Sequence, residues 1–201
     1  MDDGDGEADD EPDVSPIVRQ LIEAAQQGTI ERVGALLDQG VAVDSRNGVR
    51  QTPLMRACRR GHREVAELLL DREADVNAED RGGYTPATMA SEKGHLDVLQ
   101  LLVSRGADIH HRARHRGWSS LLKAALYDRL WVCEYLLSLG ADLMVSDVKF
   151  SNVTALTAYG RLVRPGARLS PETKALRCAA LEAAWAAGPH PSQVQRRRDE
   201  C

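Results

Sequence analysis

The chain has 201 residues, a net charge of −4 and only 4% aromatic side chains, so alanine and leucine must supply most of the buried surface, which favours helices over strands. No apolar run approaches the roughly 18–20 residues of a membrane span, and an acidic beginning is not expected of a signal peptide or mitochondrial presequence. The four cysteines (Cys58, Cys133, Cys178, Cys201) are widely spaced and form no C-x-x-C pair, which points to free thiols in a reducing compartment, cytoplasm and/or nucleus. Cys201 stands last, so a prenylation motif with three residues behind it is not expected.

In chain order, residues 1–14 come first, with eight acidic residues and no basic one. Of the 30 acidic residues, 22 remain in the body against 26 basic ones, a net of +4. The segment reads as a disordered, solubilising tail. The sharper reading is a tail that folds back over a basic surface and competes with a partner.

Beyond it the chain repeats itself. Gly28, Gly61, Gly94 and Asp128 are spaced by 33, 33 and 34 residues. Gly40-Val-Ala-Val-Asp44, Glu73-Ala-Asp-Val-Asn77, Gly106-Ala-Asp-Ile-His110 and Gly140-Ala-Asp-Leu-Met144 keep that register, as do Thr52-Pro53, Thr85-Pro86 and Ser119-Ser120. Three anchors in one register define a repeat.

Each unit reads as helix, sharp bend, helix, turn. Thr52 and Thr85 are placed to cap a first helix, with proline at its first position, where the missing N–H costs nothing. Ser15-Pro16 offers the same start to the first unit. Ala57, Ala90 and Ala124 fall mid-helix, where a small side chain lets neighbours approach. Gly61 and Gly94 end that helix. The second helices carry apolar stripes: Val65, Leu68, Leu69; Val98, Leu101, Leu102; Val132, Leu136, Leu137. Gly106 and Gly140 end them, and a turn such as Glu79-Asp80-Arg81-Gly82 leads onward. One helix pair cannot bury its own apolar face, but a stack can.

These motifs resemble the ankyrin repeat, with its T-P-L-H-x-A, glycine-histidine, leucine pair and G-A-D-V-N. Here they read "QTPLMRACRRGH…LLLDREADVN" and "YTPATMASEKGH…LLVSRGADIH". The resemblance covers about residues 16–148 and implies an all-α ankyrin-repeat solenoid of four to five helix-turn-helix units with short β-turn fingers. The expected boundaries are an acidic tail over 1–14 and repeats over about 15–48, 49–81, 82–115 and 116–148. A degenerate fifth repeat and C-terminal capping helix would follow over 149–187, then a disordered tail over 188–201. The first unit reads as an N-terminal cap with a polar outer face built from Arg19, Gln20, Gln26, Gln27 and Glu31. The histidine of T-P-L-H is replaced by Met55, Thr88 and Leu122, so weaker hydrogen bonding between repeats is expected. His62 and His95 fit the family's glycine-histidine pair.

The fifth unit starts at Thr154-Ala155-Leu156 and is interrupted between Gly160 and Gly166. Ser170-Pro171 then opens an apolar helix that can run to about Ala187, as a cap on the stack or as an adaptor segment. No ubiquitin-ligase-recruiting box is recognisable around Cys178. Ser15-Pro16 and Ser170-Pro171 also fit proline-directed phosphorylation, compatibly with capping.

No residues support an enzyme: there is no phosphate-binding glycine loop and no cysteine with a His/Asp partner at a recognisable spacing. No cofactor is called for. His110, His111 and His115 lack a cysteine or carboxylate to complete a compact metal site and read as a solvated loop. The expected function is non-enzymatic binding of one or more proteins, of acidic or mixed surface character, through the concave face and turn fingers. The candidate contacts are Arg56, Arg60, Met89, Lys93, Arg112, Arg114, Arg116, Trp118, Lys123 and Tyr127. In the family's stacks the inner helices and turn tips form that face. Arg56, Met89 and Lys123 occupy equivalent positions, as do Arg60, Lys93 and Tyr127. Trp118 is an aromatic anchor or packs against the neighbouring finger. Nucleic acid is the weaker alternative, since basic and aromatic residues do not interleave. A structural role, or an adaptor linking the bound protein to a second factor such as a ubiquitin ligase, is the rival reading. The chain is expected to be monomeric alone, without membrane insertion.

Overall fold

The computed structural model describes residues 15–114 and 117–142. Eight helices follow one another in four pairs: α1 (Pro16–Gln27) and α2 (Ile30–Asp38), α3 (Pro53–Arg60) and α4 (Arg63–Asp71), α5 (Pro86–Lys93) and α6 (Leu96–Ser104), α7 (Ser120–Leu126) and α8 (Leu130–Ser138). The described residues contain no strand, and no helix among them is long and apolar enough to cross a membrane. The proposed fifth repeat, the 170–187 helix, Arg116 and both tails lie outside the described residues.

The helix starts follow the sequence. The Thr52 hydroxyl accepts the Met55 N–H at 3.3 Å, Thr85 that of Thr88 at 3.4 Å and Ser119 that of Leu122 at 3.2 Å. Ser15 differs. Its hydroxyl makes no capping bond, and its backbone (φ −51°, ψ 134°) is not the extended one of Thr52 (φ −90°, ψ 163°). The start of α1 rests instead on Pro16 and on the Ser15 carbonyl, which accepts the Arg19 N–H at 3.1 Å.

α1, α3, α5 and α7 lie side by side as an inner row, and α2, α4, α6 and α8 form an outer row behind them. Neighbouring inner helices share much broader contact than neighbouring outer ones, which puts the inner row on the concave side. Leu21, Leu54, Leu69, Leu99, Leu102, Leu121 and Leu136 are fully buried between the rows. Ala57, Ala90 and Ala124 are equally buried, and they let the inner helices approach.

Without the histidine of T-P-L-H, the hydrogen bonds between repeats come from other residues. His62 Nε2 donates to the Gln26 carbonyl at 2.9 Å, His95 Nε2 to that of Arg59 at 3.2 Å and Arg129 Nε to that of Glu92 at 3.0 Å. In the fingers, the Asp44 carboxylate accepts the Asp75 N–H at 3.1 Å, and Asn77 Oδ1 that of Asp108 at 2.8 Å. On the outer row Arg72 pairs with Asp38 at 2.9 Å and Arg105 with Asp71 at 2.8 Å.

The first of these contacts explains the glycines. Gly61 adopts φ +80°, and a Cβ there would stand 2.6 Å from the His95 ring. Gly28 meets His62, and Gly94 meets Arg129, in the same way. The fourth unit keeps the left-handed turn at Asp128 (φ 60°) but with a side chain. A further unit laid over it in the same geometry would meet that Cβ.

Gly61→Ala should therefore cost more than Gly106→Ala. Gly106 has nearly the same backbone (φ +88°) and nothing within 4 Å of an added Cβ. The second change carries only the left-handed penalty of about 1–2 kcal/mol, and the first adds displacement of His95. Urea denaturation of the two variants measures the difference, which should be at least about 1 kcal/mol.

Candidate functional site

Gln51, Tyr84 and Trp118 hold equivalent places, one residue before the caps Thr52, Thr85 and Ser119. Between α5 and α7 they help to line a cavity of about 340 Å³, with Arg59, Asp80, Thr88, Met89, Glu92, Lys123 and Tyr127. That is the size of a small ligand or a few side chains.

Among the lining residues is Lys123, a residue only 5% exposed. Its Nζ is 2.7 Å from Glu92 Oε2 and lies over three rings, 4.3 Å from the centre of Trp118, 4.7 Å from Tyr84 and 5.3 Å from Tyr127. The chain has only eight aromatic residues, and three of them surround this one charge. A buried ammonium needs such compensation, from a carboxylate and from the negative faces of the rings. Trp118 and Tyr84 also touch each other, with centroids 6.3 Å apart and tilted by 44°. Asp80 shapes the wall: its Oδ1 accepts the Gly82 and Tyr84 N–H groups at 2.8 and 2.9 Å, and its Oδ2 accepts from Gln51 at 3.3 Å.

Four of the sequence candidates, Met89, Trp118, Lys123 and Tyr127, meet here. Met89 differs from the expectation of a projecting contact, whereas Trp118 takes one of its two expected places, packed against the neighbouring finger. Met89 is 5% exposed and packs on Met55 and Ala78, so it is core rather than a projecting contact. Trp118 is 7% exposed and packs against Tyr84 of the neighbouring finger. Arg56 is half-buried and Arg60 exposed on α3, and Lys93 lies 3.6 Å from Glu92 on α5. Arg112 and Arg114 do not join them. They are exposed on the fingers, Arg112 against Asp142 at 3.3 Å and Arg114 against Glu79 at 2.9 Å. Arg116 lies outside the described residues.

Tyr84, Glu92, Arg59, Gln51 and Asp80 were not among the candidates. Tyr84 had a signal, its place one residue before a cap in line with Gln51 and Trp118. Glu92 had only its separation of 31 residues from Lys123, which means nothing until the repeats are stacked. Trp131 was also missed. It stands on α8 where the three earlier repeats carry Glu31, Glu64 and Asp97, and it is 71% exposed.

Charge separates between the two rows. The inner helices carry six basic residues (Arg19, Arg56, Arg59, Arg60, Lys93, Lys123) and two acidic ones (Glu23, Glu92). The outer helices carry two basic residues, Arg32 and Arg63, and seven acidic ones. The described residues are close to neutral, with 16 basic against 17 acidic ones, and the stacking sorts them into inner helices with a basic excess and outer helices with an acidic one.

The remaining chemistry is structural. His111 is half-buried rather than solvated, since its Nε2 donates to the Gly83 carbonyl at 2.8 Å. His110 is exposed, and no metal-ligand cluster occurs among the described residues. Burial pushes the Cys58 thiol far above its ordinary pKa. Cys133 is pushed up to about 12, mainly by burial and then by Glu134. Both thiols stay protonated at neutral pH, which makes them poor nucleophiles.

Residues 21–113 match the family model of ankyrin repeats, in three copies. No curated protein matches the chain. The α7–α8 pair continues the same stack beyond the matched residues.

The Lys123–Glu92 pair yields a prediction with an asymmetry. Glu92→Gln leaves the ammonium buried without its carboxylate and should cost about 2–3 kcal/mol, slightly below the cost of breaking a fully buried pair. In Lys123→Met the apolar stem is kept and the cation removed, so the loss should be about 1 kcal/mol or less, although Glu92 is left partly exposed. Denaturation followed by circular dichroism orders the two, and equal losses would contradict this account of the cage.

Proposed function

Because residues 21–113 are ankyrin repeats, a family whose stacks are generally protein–protein interaction modules, we propose that this chain holds an acidic segment of a partner protein along its inner helices, with the α5–α7 cavity as the anchor point. The observation that carries the reading is the charge separation, six basic to two acidic residues on the inner helices against two to seven on the outer ones. A field of one sign on a concave face raises the encounter rate with segments of the opposite sign and rejects those of the same sign. The cavity adds selectivity. Tyr84, Trp118 and Tyr127 offer ring surface, and aromatic and arginine side chains are the usual energetic centres of interfaces. Their ring packing and the Lys123–Glu92 pair hold these groups in place before binding, so little side-chain entropy is lost on association. The family is generally non-enzymatic, and recognition alone accounts for the site.

The test is co-purification from cell extract with the full chain and with two charge-reversed variants, Arg59→Glu/Arg60→Glu on the inner row and Arg112→Glu/Arg114→Glu on the fingers. The inner-row variant should lose at least about 90% of the captured partner, as expected for two interfacial charges worth more than 1.4 kcal/mol together. The finger variant should keep most of it. Capture by the native chain should fall steeply between about 0.15 and 0.5 M salt, as screening shortens the reach of the field. A partner retained by the inner-row variant and lost from the finger variant would overturn the reading.

A further inference from the structure

The lining of the α5–α7 cavity selects the kind of side chain that anchors there. We propose that the cavity takes a neutral aromatic side chain from the partner, and that the acidic residues of the partner's segment flank this ring instead of entering themselves. This deepens the function proposed above and rests on it for the acidic flanks.

Three observations carry it. The first is that the charges lining the cavity balance, with Arg59 and Lys123 against Asp80 and Glu92. The second is that these groups are engaged within the protein. Lys123 Nζ has Glu92 Oε2 at 2.7 Å and three ring centres within 5.3 Å. Glu92 also has Lys93 Nζ at 3.6 Å. The Asp80 carboxylate accepts from the Gly82 and Tyr84 N–H groups and from Gln51, and the Thr88 hydroxyl is 3.1 Å from that of Thr85. The third is the remaining lining. Tyr84, Trp118, Tyr127 and Met89 bring three rings and a thioether to about 340 Å³.

These observations decide between anchors. A carboxylate in the cavity gives up its water, meets Asp80 and Glu92 as like charges, and competes for an ammonium that already has its carboxylate. A lysine or arginine meets Lys123 and Arg59 in the same way. A neutral ring escapes both penalties. It packs on the three rings, which adds to the gain from the area it buries, and the Met89 sulfur makes a further favourable contact. The volume, at the small end of ligand pockets, suits one large side chain. The acidic flanks stay hydrated along inner helices whose basic residues outnumber the acidic six to two. They act through the net field and need no internal ion pair to break. Charge then sets the encounter rate, and ring burial sets the residence time.

The experiment measures binding of fluorescein-labelled synthetic peptides to the full chain by fluorescence anisotropy at low salt. Each peptide has a central Trp, Leu, Ala, Glu or Lys between glutamate-rich flanks, adjusted so that all carry the same net charge. The Trp peptide should bind about tenfold more tightly than the Ala peptide, with Glu and Lys no better than Ala and Leu in between. Equal binding of all five would show that the flanks bind without an anchor, which overturns this inference and leaves the acidic-partner reading standing. Leu, Glu or Lys binding as tightly as Trp would overturn the choice of a neutral ring. Binding of none would overturn both readings. In the native chain, nuclear Overhauser contacts should run from the peptide's indole to Trp118 and Tyr127, and a tightly bound Trp peptide without them sinks the proposal. Tyr127→Ala, a truncation at a half-buried position, should cut the preference for Trp over Ala to about twofold or less and leave the Ala peptide's affinity unchanged. An undiminished preference in that variant would place the ring outside the cavity and count against the proposal.

Discussion

Each repeat is positioned by a side chain that its successor lays over a left-handed glycine. His62 covers Gly28, His95 covers Gly61 and Arg129 covers Gly94, and each donates a hydrogen bond to a carbonyl near the end of the preceding inner helix. The space exists because glycine has no Cβ, and the bond satisfies one of the carbonyls that a helix end leaves open. This contact fixes the offset between neighbouring units. With the offset fixed, side chains 33 or 34 residues apart fall into line, and the inner row becomes a continuous surface.

The alignment turns scattered residues into a field and a cavity. Arg56, Arg59, Arg60, Lys93 and Lys123 come from three different repeats, and they form one face because α3, α5 and α7 lie side by side. The acidic residues of the outer helices end up behind them. Lys123 shows the cost of this arrangement. Its ammonium is almost completely buried, and Glu92 and three aromatic rings from repeats three and four compensate it. The same groups that neutralise it tie the two repeats together and shape the cavity.

Much of the fold was legible because it depends on local chemistry. Thr52 and Thr85 cap as their sequence context indicates, and the positions of Gly61 and Gly94 follow from the need for a left-handed residue there. Ser15 failed as a side-chain cap although its Ser-Pro context matched, since its backbone takes another conformation. The expectation of weaker bonding between repeats counted only the missing histidine. It did not count Arg129, or the finger bonds of Asp44 and Asn77, whose partners lie 31 to 37 residues away.

Periodicity by itself determined that this chain stacks, which residues end each helix, and which positions share a row, because each of these depends on neighbours within one repeat or on a fixed spacing. It also showed the excess charge of each segment. Only the tertiary structure decided that Met89 and Trp118 turn inward, that Arg112 and Arg114 are held by Asp142 and Glu79, and that Tyr84, Glu92 and Lys123 meet in one cavity. Burial and pairing across repeats depend on the distance and angle between stacked helices, and no single repeat contains that information.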